Sequence, residues 1–238
     1  GVGGYRDTQT KLMDVEYGNQ SYSSFQFAYD WRRDNVENAA ALHRFILKMK
    51  TYVEGERRKR FGDDFPPVRF DIVAHSMGGP STAIALSRGL QVERVALLGS
   101  PSDLSEVLDR FCDVLHLGPR IRSAFRAEMS RRTGVSVDES RFASFVQGVE
   151  IPVLVVHDRG DAEVPLSEGH ACAAAFRNSQ MVEVEAEGHR RMLKSPAVIA
   201  MVAAFFGSRA AREYGRPRNG SSSSLSPSAN PARGAPAT

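Results

Sequence analysis

The first chemical signal in the chain is a serine held between an apolar strand and a small-residue helix, in Phe70-Asp71-Ile72-Val73-Ala74-His75-Ser76-Met77-Gly78-Gly79. A nucleophilic hydroxyl must stand clear of the backbone. A sharp strand–turn–helix does this, but it crowds the residues two before and two after the serine. Those positions are Ala74 and Gly78, both small. The same turn aims Ser76 at a helix N-terminus, where the Met77 N–H is placed to donate to a developing oxyanion. A serine hydroxyl is a weak nucleophile on its own, so a histidine base and an orienting acid are expected further along.

Two later segments supply them. Strand-like Pro152–Val156 leads into His157-Asp158-Arg159-Gly160-Asp161-Ala162-Glu163-Val164-Pro165, and strand-like Met181–Glu185 leads into Glu187-Gly188-His189-Arg190-Arg191. Both groups follow a strand, and so fall at the sheet edge where Ser76 lies. Two acids compete. Asp158 comes soon after the strand and is expected to bond the turn at Arg159-Gly160. Asp161 lies past Gly160, where the loop can swing its carboxylate towards His189.

The Ala-His-Ser-Met-Gly-Gly turn, His-Asp-x-x-Asp-x-x-Val-Pro and Gly-His-Arg-Arg resemble the nucleophile, acid and histidine motifs of the α/β-hydrolase superfamily, in the order Ser…Asp…His. The resemblance spans roughly residues 22–206. It implies Ser76 as nucleophile, Asp161 as acid and His189 as base, with a helical cap inserted among residues 102–147. Phe27-Ala28-Tyr29-Asp30-Trp31-Arg32-Arg33-Asp34 looks like a stretch of lipases and of lecithin–cholesterol acyltransferase relatives, whereas the C-terminal half is more similar to small bacterial esterases. The family places three strands before the one expected at Ser24–Tyr29, and its second oxyanion donor follows the third of them. Here about 23 residues precede Ser24, with no His-Gly pair, so the N-terminal strands are expected to be missing or reduced. Gly1-Val2-Gly3-Gly4 is the candidate remnant of the donor loop.

These residues need elements to hold them. Strand patterns fall at Ser24–Tyr29, Arg69–Ala74, Val92–Leu98, Pro152–Val156 and Met181–Glu185, with helix patterns at Asn35–Val53, Gly78–Arg88 (closed by Gly89) and Pro196–Phe206. Alternating strands and helices predict an α/β fold with a mostly parallel sheet. Between Leu98 and Ile151 only helix signal occurs. Asp103 caps one helix with Glu106 at the third position and Leu104, Val107, Leu108, Phe111 and Leu115 on one face. Pro119 opens a second, with Ile121, Phe125 and Met129, ended by Gly134; a third is short and carries Phe142, Phe145 and Val146. Phe111, Leu115 and Phe125 are the expected substrate-binding, acyl-pocket residues.

Composition narrows the function class. Apolar residues at 42% and charged residues at 25% are ordinary for a soluble globular protein. The longest apolar run, Ala197–Phe206, has ten residues, about half of a membrane-spanning helix. The net charge is +3, but residues 208–238 carry five arginines against Glu213, leaving −1 on residues 1–207. A nucleic-acid partner is therefore not expected. Residues 1–207 are expected to form the hydrolase domain, and 208–238 a disordered basic Ser/Pro/Ala-rich tail. Cys112 and Cys172 are expected to be buried and unbridged, as suits a reducing compartment. With no secretory signal at the start, the expected location is cytoplasmic. The chain opens without Met, as a processed or partial chain would.

The remaining signals have plainer readings. His43, His75, His116, His157 and His170 are assigned to packing, positioning or the surface, and Glu56-Arg57-Arg58-Lys59-Arg60 to a solvated loop. No metal site and no cofactor are expected. The sequence thus predicts a serine-dependent carboxylic-ester hydrolase, an esterase or lipase, with a small-molecule or lipid ester as its partner. Two alternatives stay open. One is acyl transfer to an alcohol by the same triad, favoured by Tyr29-Asp30-Trp31-Arg32. The other is a non-catalytic chain of the same fold, favoured by the short front.

Overall fold

The computed structural model describes residues 24–29, 35–133, 136–137, 141–185 and 188–214. Among them, four strands form one parallel sheet in chain order: β1 (Asp71–His75), β2 (Arg94–Leu98), β3 (Val153–Asp158) and β4 (Ser179–Val184). The register pairs His75 with Leu98, Leu98 with Val156, and Asp158 with Val184, so all four C-terminal ends share one edge.

The two central strands are buried on both faces, which is why they read as unbroken apolar runs. Their side chains still sort by period two. Val95, Leu97, Val153 and Val155 point to one side, with Ala83 and Leu86 of α2 (Gly78–Ser87) and Cys172 of α6 (Leu166–Ala175). Ala96, Leu98, Leu154 and Val156 point to the other, with Val198 and Val202 of α8 (Pro196–Tyr214). Between α6 and α8 lies α7, a four-residue turn of helix (Gly188–Arg191). Both cysteines are free and buried.

The helix α1 (Asn35–Phe61) packs on α2 through Ala39, Leu42 and Ile46 against Ile84 and Ala85. It runs past Val53 through Glu56–Arg60, which is helix and not the loop expected there. The apolar stripe ends at Val53, but Glu, Arg and Lys are good helix formers. A Lys59–Glu56 pair at 2.7 Å adds support, and Gly62, at φ +67°, ends the helix.

Two of the remaining expectations change. Ser24–Tyr29 is not a strand; the described residues have no strand before Asp71. Its alternating aromatics pack on α1 and the lead into β1 instead: Phe27 lies 5.3 Å from Phe45, and Phe25 lies 6.4 Å from Phe70. The last helix continues to Tyr214, past the expected end at Phe206 and the boundary at 207. Gly1–Gly4, Asp30–Asp34 and the tail beyond Tyr214 lie outside the described residues.

The helical insertion between β2 and β3 is present as α3 (Leu104–Val114), α4 (Pro119–Thr133) and α5 (Phe142–Phe145). Its two ends meet: Phe142 N–H donates to the Ser102 carbonyl at 2.7 Å, and Asp103 and Arg141 form an antiparallel bridge. Arg126 staples α4 to α3, donating to Asp109 at 2.8 Å and to Ser105 at 2.6 Å. Asp103 caps α3 as expected, accepting from Ser105 N–H at 2.8 Å.

Candidate active site

Ser76 sits at the β1–α2 turn with φ +53°, a left-handed conformation that a non-glycine residue adopts only where its surroundings enforce it. Ser76 N–H donates to the Leu98 carbonyl at 3.0 Å, and the Ser76 carbonyl accepts from Gly79 N–H at 3.0 Å. These bonds bind the turn to β2 and to its own helix. The crowding expected at Gly78 is not found: an added Cβ would lie 3.6 Å from the Ala74 Cβ and 3.5 Å from the Tyr29 hydroxyl, which is ordinary van der Waals contact. The tighter glycine is Gly79: a Cβ there would come within 2.4 Å of Ser100 Oγ. Met77 caps α2, so its N–H belongs to the helix end whose donors have no intrahelical acceptor.

The loops after β3 and β4 bring Asp161 and His189 together. His189 Nδ1 lies 2.7 Å from Asp161 Oδ2, and both side chains are buried. Asp161 Oδ1 accepts from Glu163 N–H at 2.9 Å and Val164 N–H at 2.8 Å. Burial pushes the Asp161 carboxyl up, but the bond from His189, these two backbone donors and the His189 charge outweigh it and hold it below the usual carboxylate range. The site favours an ionised Asp161, and a carboxylate only accepts, so Nδ1 of His189 carries the hydrogen and Nε2 faces away from the acid. Gly99, at φ +53°, makes room: a Cβ there would stand 3.2 Å from His189 Nδ1.

Asp158 does what was expected of it and more. It is fully buried, and accepts from Gly160 N–H at 2.6 Å and from Gly188 N–H at 3.0 Å, which links the acid loop to the residue before His189. His157 is also fully buried and donates from Nε2 to the Val164 carbonyl at 2.9 Å.

Ser76, Met77 and His189 line one cleft of about 180 Å³, along with Pro101, Glu106, Val107, Arg110, Glu163, Val164, Pro165 and Glu168. The expected acyl-pocket residues Phe111, Leu115 and Phe125 are not in its wall. Phe111 is 47% and Leu115 50% exposed, and Phe125 packs on Phe111 at 5.9 Å, between the insertion helices. The helix α3 turns Glu106, Val107 and Arg110 to the cleft, so the face of α3 that meets the site is largely polar.

Of the glutamates there, Glu168 went unrecognised in the sequence, and Glu106 was expected only as part of the α3 cap. Glu168, at the start of α6, is buried and accepts from Ser102 N–H at 2.7 Å, Ser102 Oγ at 2.8 Å and Asp103 N–H at 3.1 Å. It thus takes the reciprocal half of the capping arrangement that Glu106 was expected to fill. Glu106 instead hydrogen-bonds Glu168, and that bond and the Glu168 charge hold its carboxyl above the usual range. Two bonded carboxyls need a shared proton. Nothing local in the sequence marks Glu168, because its partners lie 65 and 66 residues earlier in the chain. Among the described residues no cluster of His, Cys, Asp or Glu could hold a metal ion, and no helix is long and apolar enough to cross a membrane.

Known proteins agree with this architecture. The esterase domain of a Rhodothermus marinus protein superposes with a TM-score of 0.54 at 19% identity, over 89% of this chain and 80% of that one. A mutant of the meta-cleavage product hydrolase from Pseudomonas fluorescens IP01, complexed with acetates, superposes with a TM-score of 0.53 at 16% identity, over 87% of this chain and 86% of that one. The chain has the fold of the α/β-hydrolase superfamily. In sequence, residues 129–214 match the family model of TAP-like proteins. The matched stretch holds Asp161 and His189 and starts beyond Ser76. No curated protein sequence matches the chain.

Proposed function

We propose that this chain is a serine hydrolase acting on carboxylic esters through an acyl-enzyme. The observation that carries the reading is the 2.7 Å bond between His189 Nδ1 and Asp161, with His189 and Ser76 in the wall of one cleft. Hydrolases among the proteins of similar fold support the reaction class. In acylation the Ser76 oxygen bonds the carbonyl carbon while its proton passes to His189 Nε2. The imidazolium then gives that proton to the departing alkoxide. Asp161 fixes the tautomer of His189 and stabilises its charged form. Met77 N–H donates to the oxyanion. Water next attacks the acyl carbon, giving a proton to His189, which returns it to Ser76 as the acid leaves.

The cleft also speaks to the substrate. At about 180 Å³, with Pro101, Val107, Val164 and Pro165 in its wall beside Glu106, Arg110, Glu163 and Glu168, it suits a short acyl group better than a long alkyl chain. An esterase reading is therefore preferred to a lipase. A fluorophosphonate probe should label Ser76 by mass mapping, and p-nitrophenyl acetate should be turned over faster than the palmitate. Ser76→Ala should lower kcat by about 10⁴-fold or more. Unlabelled Ser76 in folded protein would sink the proposal.

A further inference from the structure

His75 is the last residue of β1 and the covalent neighbour of Ser76, and it is buried at 7% exposure. Its Nε2 lies 2.9 Å from the carbonyl oxygen of His189, and the two imidazole rings are 4.7 Å apart at 45°. A carbonyl only accepts, so Nε2 of His75 carries the hydrogen. Burial brings the His75 imidazole down to about 4, against the carbonyl bond, which pulls the other way. The ring is thus neutral wherever an ester hydrolase of this kind works, and it adds no positive charge beside His189 when that ring takes up a proton.

His189 rides on α7, only four residues long, whose own backbone gives it little rigidity. The backbone before and after His189 is instead tied from outside. On one side Gly188 N–H donates to Asp158 at 3.0 Å; on the other the His189 carbonyl accepts from His75 at 2.9 Å. Asp161 then fixes the ring itself at 2.7 Å. Of these three bonds, it is the His75 bond that runs from the nucleophile's own strand to the base, through one hydrogen bond and one peptide step. Misplacement by about 1 Å costs on the order of a hundredfold in rate.

We infer that His75 is a positioning residue, a neutral donor that sets the distance between Ser76 and His189 by holding the His189 carbonyl. The inference rests on the serine-hydrolase reading above.

The test compares His75→Gln, whose amide nitrogen reaches the place of Nε2, with His75→Leu, of similar bulk and no donor. His75→Asn, with an amide too short to reach, is a third variant should the leucine protein fail to fold. Each is measured for thermal midpoint, kcat and KM, the rate of fluorophosphonate labelling at Ser76, and the far-downfield proton signal of His189 Nδ1–H on Asp161. In His75→Leu and His75→Asn, kcat and the labelling rate should fall roughly 10- to 100-fold with KM within about twofold, and the downfield signal should broaden. In His75→Gln, rate and signal should return to within about threefold of the parent. Equal impairment of all three variants would reduce His75 to packing, and unchanged kcat and signal in His75→Leu would remove its role; either result overturns the inference. If folded parent protein shows the downfield signal but is not labelled at Ser76, the serine-hydrolase reading fails. The signal across the variants then still decides whether His75 orders His189. A parent with no such signal overturns the inference as well.

Discussion

Two carboxylates leave the end of β3, and their partners separate their roles. Asp161 spends one oxygen on two backbone donors and aims the other at His189. Asp158 spends both oxygens on the backbone, at Gly160 and Gly188. Asp161→Asn should therefore keep the fold and lose about 10⁴-fold in kcat, because an amide facing Nδ1 favours the wrong tautomer. Asp158→Asn must turn an NH₂ towards one of two N–H groups in a buried site. That should cost about 1–3 kcal/mol, read as a drop of roughly 3–10 °C in thermal midpoint, with kcat within about tenfold of the parent, the loss set by geometry alone. Paired kinetics and melts check both; an active Asp161→Asn beside a dead Asp158→Asn would reverse the assignment. At this scale the triad candidates were legible because each follows a strand with its own motif. The acyl-pocket residues were not. Helical periodicity gives the apolar face of α3, but not what that face meets, and Phe111 found Phe125 rather than the cleft.

Among the elements, the insertion is attached to the sheet through its two ends and through α6. Glu168 holds the start of α3 by accepting from Ser102 and Asp103, and Glu106 reaches down from α3 to bond the same carboxyl. The charges nearest Glu106 are Glu168 and Asp103, which raise it, and Arg110, which lowers it. The sign follows from linkage. Glu106 gives up its proton at a higher pH in the folded chain than in the unfolded one. Its bond therefore contributes fully below the ordinary glutamate range, and is lost as pH rises through the raised value. Glu106→Gln keeps a donor towards Glu168 at every pH. The parent's thermal midpoint should fall relative to the variant's as pH rises through that window, and amide exchange in Leu104–Val114 should accelerate in the parent alone. Identical pH profiles would show that the bond does not hold the insertion. The three insertion helices were legible from Asp103, Pro119 and the apolar spacing. The full length of α1 was not, because its last turns carry charges on every side and only Gly62 marks the end.

The whole molecule is a sheet covered on both faces, and the order of its elements was legible because runs of period two alternate with runs near 3.6. Their pairing register was less so, since strands buried on both sides carry no polar face to mark it. One side chain joins the layers across that register. Arg94, at the start of β2, donates to both oxygens of Asp71 on β1, at 3.0 and 2.8 Å. It also donates to the Phe205 carbonyl of α8 at 3.1 Å and to the Phe206 carbonyl, and its guanidinium lies 5.5 Å from the Phe206 ring centre. The side chain is only 11% exposed, so solvent cannot replace these bonds cheaply. Arg94→Met keeps the apolar stem and removes the donors, leaving a carboxylate and helix carbonyls without them. The expected cost is about 2–3 kcal/mol, or roughly 4–10 °C in thermal midpoint for a chain of this size. Adding Asp71→Asn should recover part of that loss, because the double variant no longer holds a carboxylate whose charge partner is gone. The proposed triad lies at the opposite end of the strands, so labelling of Ser76 at 25 °C should not change in either variant. If Arg94→Met melted with the parent, the bonds that join β1, β2 and α8 would be replaceable by water, and the packing of α8 would rest on its apolar face alone.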